Sequence, residues 1–222
     1  MIPYKDDNPT IRFPIITIIL IVINTIVFLF QISSGDDSNA VVYTYGVIPY
    51  RLLHGNEVMG TPIAVNLLTA MFLHGGFLHL AGNMLYLWIF GNNIEDRLGI
   101  LRFIIFYLLC GVIATYAHAL SDPSSMLPMI GASGAISGII GAYLVLFPRA
   151  KIHTLIFFGF FIQVIKVPAV IVIGFWIVLQ FISGLLSKGL YGGGGGVAWF
   201  AHIGGFLAGV ILIKLFLITK RL

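Results

Sequence analysis

Apolar residues run along this chain in long blocks, and polar residues collect between them. Six blocks stand out, at roughly 14–32, 77–94, 100–120, 130–147, 167–187 and 197–217. Each is close to the ~20 residues an α-helix needs to cross the ~30 Å hydrocarbon core of a bilayer. The pattern predicts an all-α, polytopic membrane protein, a six-helix bundle forming one membrane domain over residues 1–222. The first block is long and has no small-residue cleavage site close behind it, so it reads as a retained span. Between the first two blocks lies Ser33 to Gly76. Its pieces Val41-Val42-Tyr43 and Ile48-Pro49-Tyr50 predict a folded interfacial element in a long loop. Ile152 to Val167 is apolar but interrupted by His153, Gln163 and Lys166; it reads as an interfacial loop or the first part of span 5, with the loop favoured. Five glycines, Gly192 to Gly196, form a flexible link ahead of the last block.

Composition agrees with this reading. The 222 residues are 59% hydrophobic and 9% charged, against about 25% charged for a soluble domain. Too little polar surface exists to cover a globule in water. The net charge of +4 therefore carries no argument for a nucleic-acid partner, and none is expected. The single cysteine, Cys110, excludes a disulfide within the chain and the cysteine patterns of zinc sites, and reads as packing.

The positions of the basic residues orient the spans. Lys5 and Arg12 precede the first. Arg97 and Arg102 lie between the second and third, and Arg149, Lys151 and Lys166 between the fourth and fifth. Lys214, Lys220 and Arg221 close the chain. Six spans put all of these on one side, leaving only Arg51 and Lys188 on the other. The positive-inside rule then predicts a multi-pass protein of the cell membrane with both termini in the cytoplasm. Spans 2, 4 and 6 run from outside to inside. His79 and Asn83 near the start of span 2, Ser133 at the start of span 4 and His202 in span 6 share a depth within roughly 10 Å of the outer helix ends.

Ionisable groups inside a membrane are expensive and point to function. A serine hydroxyl becomes a nucleophile when a base takes its proton, and a neutral imidazole is the usual base. Ser133 and His202 are such a pair if their helices approach closely. Gly131, Gly134 and Gly138 line span 4, and His202, Gly205 and Gly209 share one face of span 6. Faces of small residues let helix backbones touch, so these glycines are predicted to pack spans 4 and 6 together. Taken singly, the glycine motif is a packing device, and His202 a hydrogen-bonded core residue or a haem or metal ligand. Their joint occurrence at one depth favours chemistry. The Asn83 side chain, with His79 on the same helix face and the free Ser133 amide at a helix N-terminus, can donate to an oxyanion; the alternative for Asn83 is an interhelical hydrogen bond. No Asp or Glu lies deep in a span, so a Ser-His dyad is expected. His-Glu-x-x-His and paired intramembrane aspartates are absent from the sequence. His74 is expected to shape the outer loop. His54, His118 and His153 read as interfacial, Asn24 and Gln180 as bonding between helices, and Glu95-Asp96-Arg97 as an ion-paired structural cluster.

These segments resemble the rhomboid family of intramembrane serine proteases, from about Tyr45 to Gly209. The carriers are Phe72 to Leu80 with Asn83, then Gly131-Ala132-Ser133-Gly134, then Ala201-His202 with Gly205 and Gly209. Gly46-Val47-Ile48-Pro49 and Glu95-Asp96-Arg97 also look familial. The resemblance implies a six-helix core around a water-filled cavity open to the outside. It implies Ser133 as nucleophile, His202 as base and later acid, and His79, Asn83 and the Ser133 amide as oxyanion site. It implies single-span membrane proteins as substrates, cut near the outer face without metal or organic cofactor. In the family the region before span 6 acts in admitting substrate, which makes Gly192 to Gly196 a candidate hinge. One departure is Thr69-Ala70-Met71-Phe72, where many members carry a Trp-Arg pair. The form expected is a minimal prokaryotic one. The alternatives are an inactive rhomboid-like protein that binds membrane clients and a haem-binding or transport protein. Substrate identity and oligomeric state are not legible in the sequence.

Overall fold

The computed structural model describes residues 2–55, 61–158, 161–191 and 197–218. The glycine run Gly192 to Gly196 lies outside the described residues. The fold is a polytopic helical bundle with a small sheet at one end. Its helices are α1 (Ile15–Ser33), α2 (Ser38–Tyr45), α3 (Pro49–His54), α4 (Ile63–Thr69), α5 (Phe77–Tyr86), α6 (Asn92–Leu98), α7 (Ile100–Ser121), α8 (Ser133–Leu146), α9 (Ala169–Tyr191) and α10 (Trp199–Ile218). Among the described residues, α1, α7, α9 and α10 are by themselves long and apolar enough to cross a membrane. The other two expected spans take different forms. Residues 77–98 are composite, with α5 running through a π-helical turn at Leu87–Gly91 into α6. The fourth starts at Ser133 rather than at 130 and has 14 residues. At 1.5 Å per residue it is about 21 Å long, short of a ~30 Å hydrocarbon core.

That short helix is the centre of the bundle. Every residue from Gly134 to Tyr143 is buried, as expected of a helix apolar all round. It packs against α7 and α10. The glycine face works by exclusion of side chains. A Cβ at Gly205 would run into the Gly134 carbonyl oxygen, and one at Gly209 into the Gly138 carbonyl oxygen. From the other side, a Cβ at Gly141 would strike the Phe206 carbonyl. The two backbones touch with no side chain between them.

The opposite end carries what the sequence pattern left as loops. β1 (Ile2–Asp6), β2 (Lys151–Phe158) and β3 (Phe161–Pro168) form an antiparallel sheet in the order β1-β2-β3. The expected interfacial loop at 152–167 is thus a hairpin, with Ile152 opposite Val167 and His153 opposite Lys166. Its β-branched Ile152, Thr154, Val164, Ile165 and Val167 suit a pleated surface. Pairing of Ile2 with Leu155 holds the N-terminus and the α8–α9 connection on the same side of the bundle. Asp7 accepts hydrogen bonds from Lys166 and His153, and these hold its carboxyl below the usual range, Lys166 first.

Contrary to the expected ion-paired cluster, Glu95 has no ion-pair partner among the described residues. Its carboxylate accepts from the Ile16 and Thr17 amides (2.9 and 2.8 Å) and from Thr17 Oγ1 (2.7 Å). Those amides are free donors at the start of α1, where Pro14 supplies no side-chain cap. A carboxylate there satisfies orphan N–H groups and meets the positive end of the helix dipole. Asp96 accepts from the Arg12 amide, and Arg97 lies over the Phe147 ring. Asp6, buried, accepts from Asn93 and Tyr143; burial pushes its carboxyl up, against those bonds. At Gly99, φ is +80°. This conformation favours glycine and lets α6 turn directly into α7.

Two outcomes follow for stability. Gly209→Ala should lower it by about 1–3 kcal/mol, since the new methyl meets backbone that must move. Gly174→Ala on α9, where a Cβ meets nothing within 4 Å, should be neutral or slightly favourable. Unfolding midpoints in detergent compare the two. For Asp7, a depressed folded pKa gives stability that is full above the unfolded carboxylate value of about 4. It is lost as pH falls through the lower folded value. Asp7→Asn should flatten that acid limb of the stability curve, read as unfolding midpoints between about pH 3 and 6.

Candidate active site

Three separate stretches converge at the head of α8. The chain reaches Ser133 through an extended segment tied to the long loop. Met129 N–H donates to the Val47 carbonyl (2.7 Å) and Val47 N–H to that of Met129 (3.1 Å), while Gly131 N–H donates to Ala70 O (2.8 Å). Ala70 belongs to the stretch that departs from the Trp-Arg pattern. There Thr69 Oγ1 bonds the Tyr45 carbonyl and Asn66 Nδ2 those of Thr44 and Gly46, so this loop has its own bracing. Gly131 has φ +123°, and a Cβ on it would stand 2.9 Å from His79 Cε1. Only glycine suits both the conformation and the space, so Gly131 precedes α8 and faces α5, and does not pack α8 against α10 as expected.

Ser133 Oγ lies 2.8 Å from His202 Nε2. That is hydrogen-bond reach for a nucleophile and its base. The far nitrogen of the ring is also engaged, with His202 Nδ1 2.7 Å from Gln180 Oε1 on α9. Trp176 and Trp199 flank the imidazole, the second edge-on.

His79 and Asn83 face this pair from α5, one turn apart. Gly75 N–H donates to His79 Nδ1 (3.3 Å). That bond puts the ring proton on Nε2, the nitrogen 3.0 Å from the Cβ position of Gly131, beside Ser133. Asn83 is 7% exposed and its Nδ2 has no hydrogen-bond partner. A buried donor without an acceptor costs about 1–3 kcal/mol, and this one lines the cavity shared with Ser133 and His202, where an acceptor can reach it. It does not make the interhelical bond that was the alternative. Ser133, His202, His79 and Asn83 line one cavity of about 640 Å³, which extends down to Tyr86 and Trp176. This volume leaves room for water beside a peptide segment.

Two further histidines lie close by. His118, in the last turn of α7, lines the same cavity. His74 is fully buried and shapes the outer loop as expected. Gln31 of α1 grips its backbone at two points, donating to His74 O (2.8 Å) and accepting from His74 N (3.1 Å). Its ring packs edge-on against His79. Asn24 bonds the Leu20 carbonyl of its own helix. Gln180 does bond between helices, but its partner is the candidate base. The sequence offered one sign of this, a single amide deep in an apolar span at the same depth as His202.

The arrangement can polarise a hydroxyl and offer donors to the oxyanion that forms when it attacks a carbonyl carbon. The chain's relatives fit that picture. A Rhomboid domain model matches residues 63–219. RHOMBOID-like protein 5 of Arabidopsis thaliana is 33% identical over 146 residues, covering 66% of this chain and 42% of that protein. Rhomboid protease GluP of Bacillus subtilis (strain 168) is 31% identical over 141 residues, 64% of this chain and 25% of that protein. RHOMBOID-like protein 6, mitochondrial, of Arabidopsis thaliana is 32% identical over 176 residues, 79% of this chain and 49% of that protein. The chain thus spans about a quarter to a half of the length of these relatives. The matched region contains all three segments that meet at Ser133, on α5, α8 and α10, and the chain belongs to the rhomboid family.

Proposed function

We propose that this chain is an intramembrane serine endopeptidase that cuts single-span membrane proteins near the outer membrane face. The observation that carries the reading is the contact of Ser133 with His202 beside an unpartnered, buried Asn83 donor in one cavity. Ser133 Oγ attacks the scissile carbonyl carbon while its proton passes to His202 Nε2. The oxyanion takes donors from Asn83 Nδ2, His79 Nε2 and the Ser133 amide. The carbon–nitrogen bond then breaks, and His202 Nε2 gives its proton to the leaving amine. Water adds to the resulting ester and passes a proton to Nε2; the carbon–oxygen bond then breaks as Nε2 returns that proton to Ser133 Oγ, which restores the dyad. No metal or organic cofactor has a part in these steps.

The short α8 supports a cut inside the membrane boundary, since its head lies below one surface if its foot reaches the other. The same-side sheet and the basic residues support a six-span topology with both termini in the cytoplasm, in the cell membrane and within a single domain.

The test is cleavage of a model single-span protein in liposomes. The parent should cut it at one main position, and folded Ser133→Ala should not cut it. Equal cutting by both would remove Ser133 from the mechanism. Asn83→Ala should lower kcat on the order of 10²-fold, the usual cost of one oxyanion donor, with KM little changed. A KM rise at constant kcat would instead make Asn83 a binding residue.

A further inference from the structure

Gln180 touches the candidate base and has so far been given no work. It is 6% exposed and stands on α9, which supplies neither the nucleophile nor the oxyanion donors. A long amide in an apolar span loses side-chain entropy and water, and it needs partners. It has two. Gln180 Nε2 donates to the Trp176 carbonyl one turn back (3.3 Å), and Oε1 lies 2.7 Å from His202 Nδ1. The first bond decides the orientation of the amide, because only its nitrogen can donate to a carbonyl. The oxygen is then left facing the imidazole, so Nδ1 must carry the hydrogen.

We propose that Gln180 is the positioning residue of this dyad, a neutral third member that fixes the tautomer of His202. The proposal rests on the protease reading for its kinetic consequence but not for its geometry. A neutral imidazole has two tautomers. With the proton on Nδ1, the Nε2 lone pair faces Ser133 Oγ and can take its proton. With the proton on Nε2, the ring donates to Oγ and is useless as a base. A hydrogen-bond acceptor at Nδ1 selects the first form. In soluble triads a carboxylate fills that role. A carboxylate here would be an unpaired charge in an apolar span, at a large desolvation cost. An amide oxygen selects the same tautomer without that charge. The Nδ1–H remains bound to Oε1 both when Nε2 is bare and after it takes the serine proton, so the ring need not turn during the cycle. Trp176 and Trp199 restrict its rotation further.

The test combines ¹⁵N-histidine NMR of detergent-solubilised protein with kinetics on the model substrate. In the parent, His202 should carry its proton on Nδ1 only. Gln180→Leu, similar in size but without an acceptor, should show a mixture of tautomers. Its kcat should fall roughly 10- to 10²-fold with KM within about twofold, a change confined to the chemical steps. Gln180→Glu, which keeps an oxygen at that place, should recover more of kcat than Gln180→Leu. A parental His202 protonated on Nε2 overturns the proposal even if the leucine variant fails to fold. So does a folded Gln180→Leu with the parental tautomer and kcat. The NMR result needs no turnover, so a parent that cuts nothing would remove the protease reading while the tautomer result still decides the role of Gln180.

Discussion

The direct contact of two helix backbones, α8 against α10, is the constraint on which the site depends. A serine and a histidine on different helices come within hydrogen-bond distance only if the helices lie closer than side chains normally permit. Gly205 and Gly209 bring their backbone against the carbonyls of Gly134 and Gly138. In a bilayer, lipid tails are as apolar as the helix surfaces, so close van der Waals packing has to supply what hydrophobic burial supplies in water. The same glycines thus hold the bundle together and set the 2.8 Å separation of Ser133 and His202. Stability and geometry here share one cause.

The polar groups divide between the two ends of the bundle. At the sheet end, Asp6 and Glu95 are satisfied by protein donors; Glu95 ties α6 to α1, and Asp6 ties β1 to α6 and α8. Those groups have finished their work in the folded state. At the other end, Asn83 keeps an unspent donor and the cavity remains open around Ser133. Buried atoms without a partner also occur away from the site, at Asn66 Oδ1 and the Tyr107 hydroxyl, so what points to chemistry is the position of the Asn83 donor on the cavity beside Ser133.

Much of this was legible in the sequence because membrane patterning is strong. Long apolar blocks, the positions of lysine and arginine, and glycines at helical spacing each have one dominant physical meaning. Ser133, His202, His79 and Asn83 could be brought to one depth from those signals alone. The hairpin at residues 151–168 was not legible, because a short apolar run serves equally as strand, loop or helix until its partner is known. The outer partner of β2 is β1, with Ile2 opposite Leu155 from the far end of the sequence. Glu95 read as part of an ion-paired cluster because its neighbours are charged, whereas its true partners are backbone amides of α1. Gln180 was placed between helices correctly, but an amide's partner is a matter of a few ångströms that spacing along the chain does not report.

The central claim is that His202 activates Ser133 across the glycine contact. Reaction with a fluorophosphonate, followed by peptide mapping, tests it most directly because it needs no choice of membrane substrate. The account predicts one adduct, on Ser133, formed by the parent and lost in a folded His202→Ala variant. Labelling of Ser133 at the parental rate without His202, or labelling of some other serine, would contradict it.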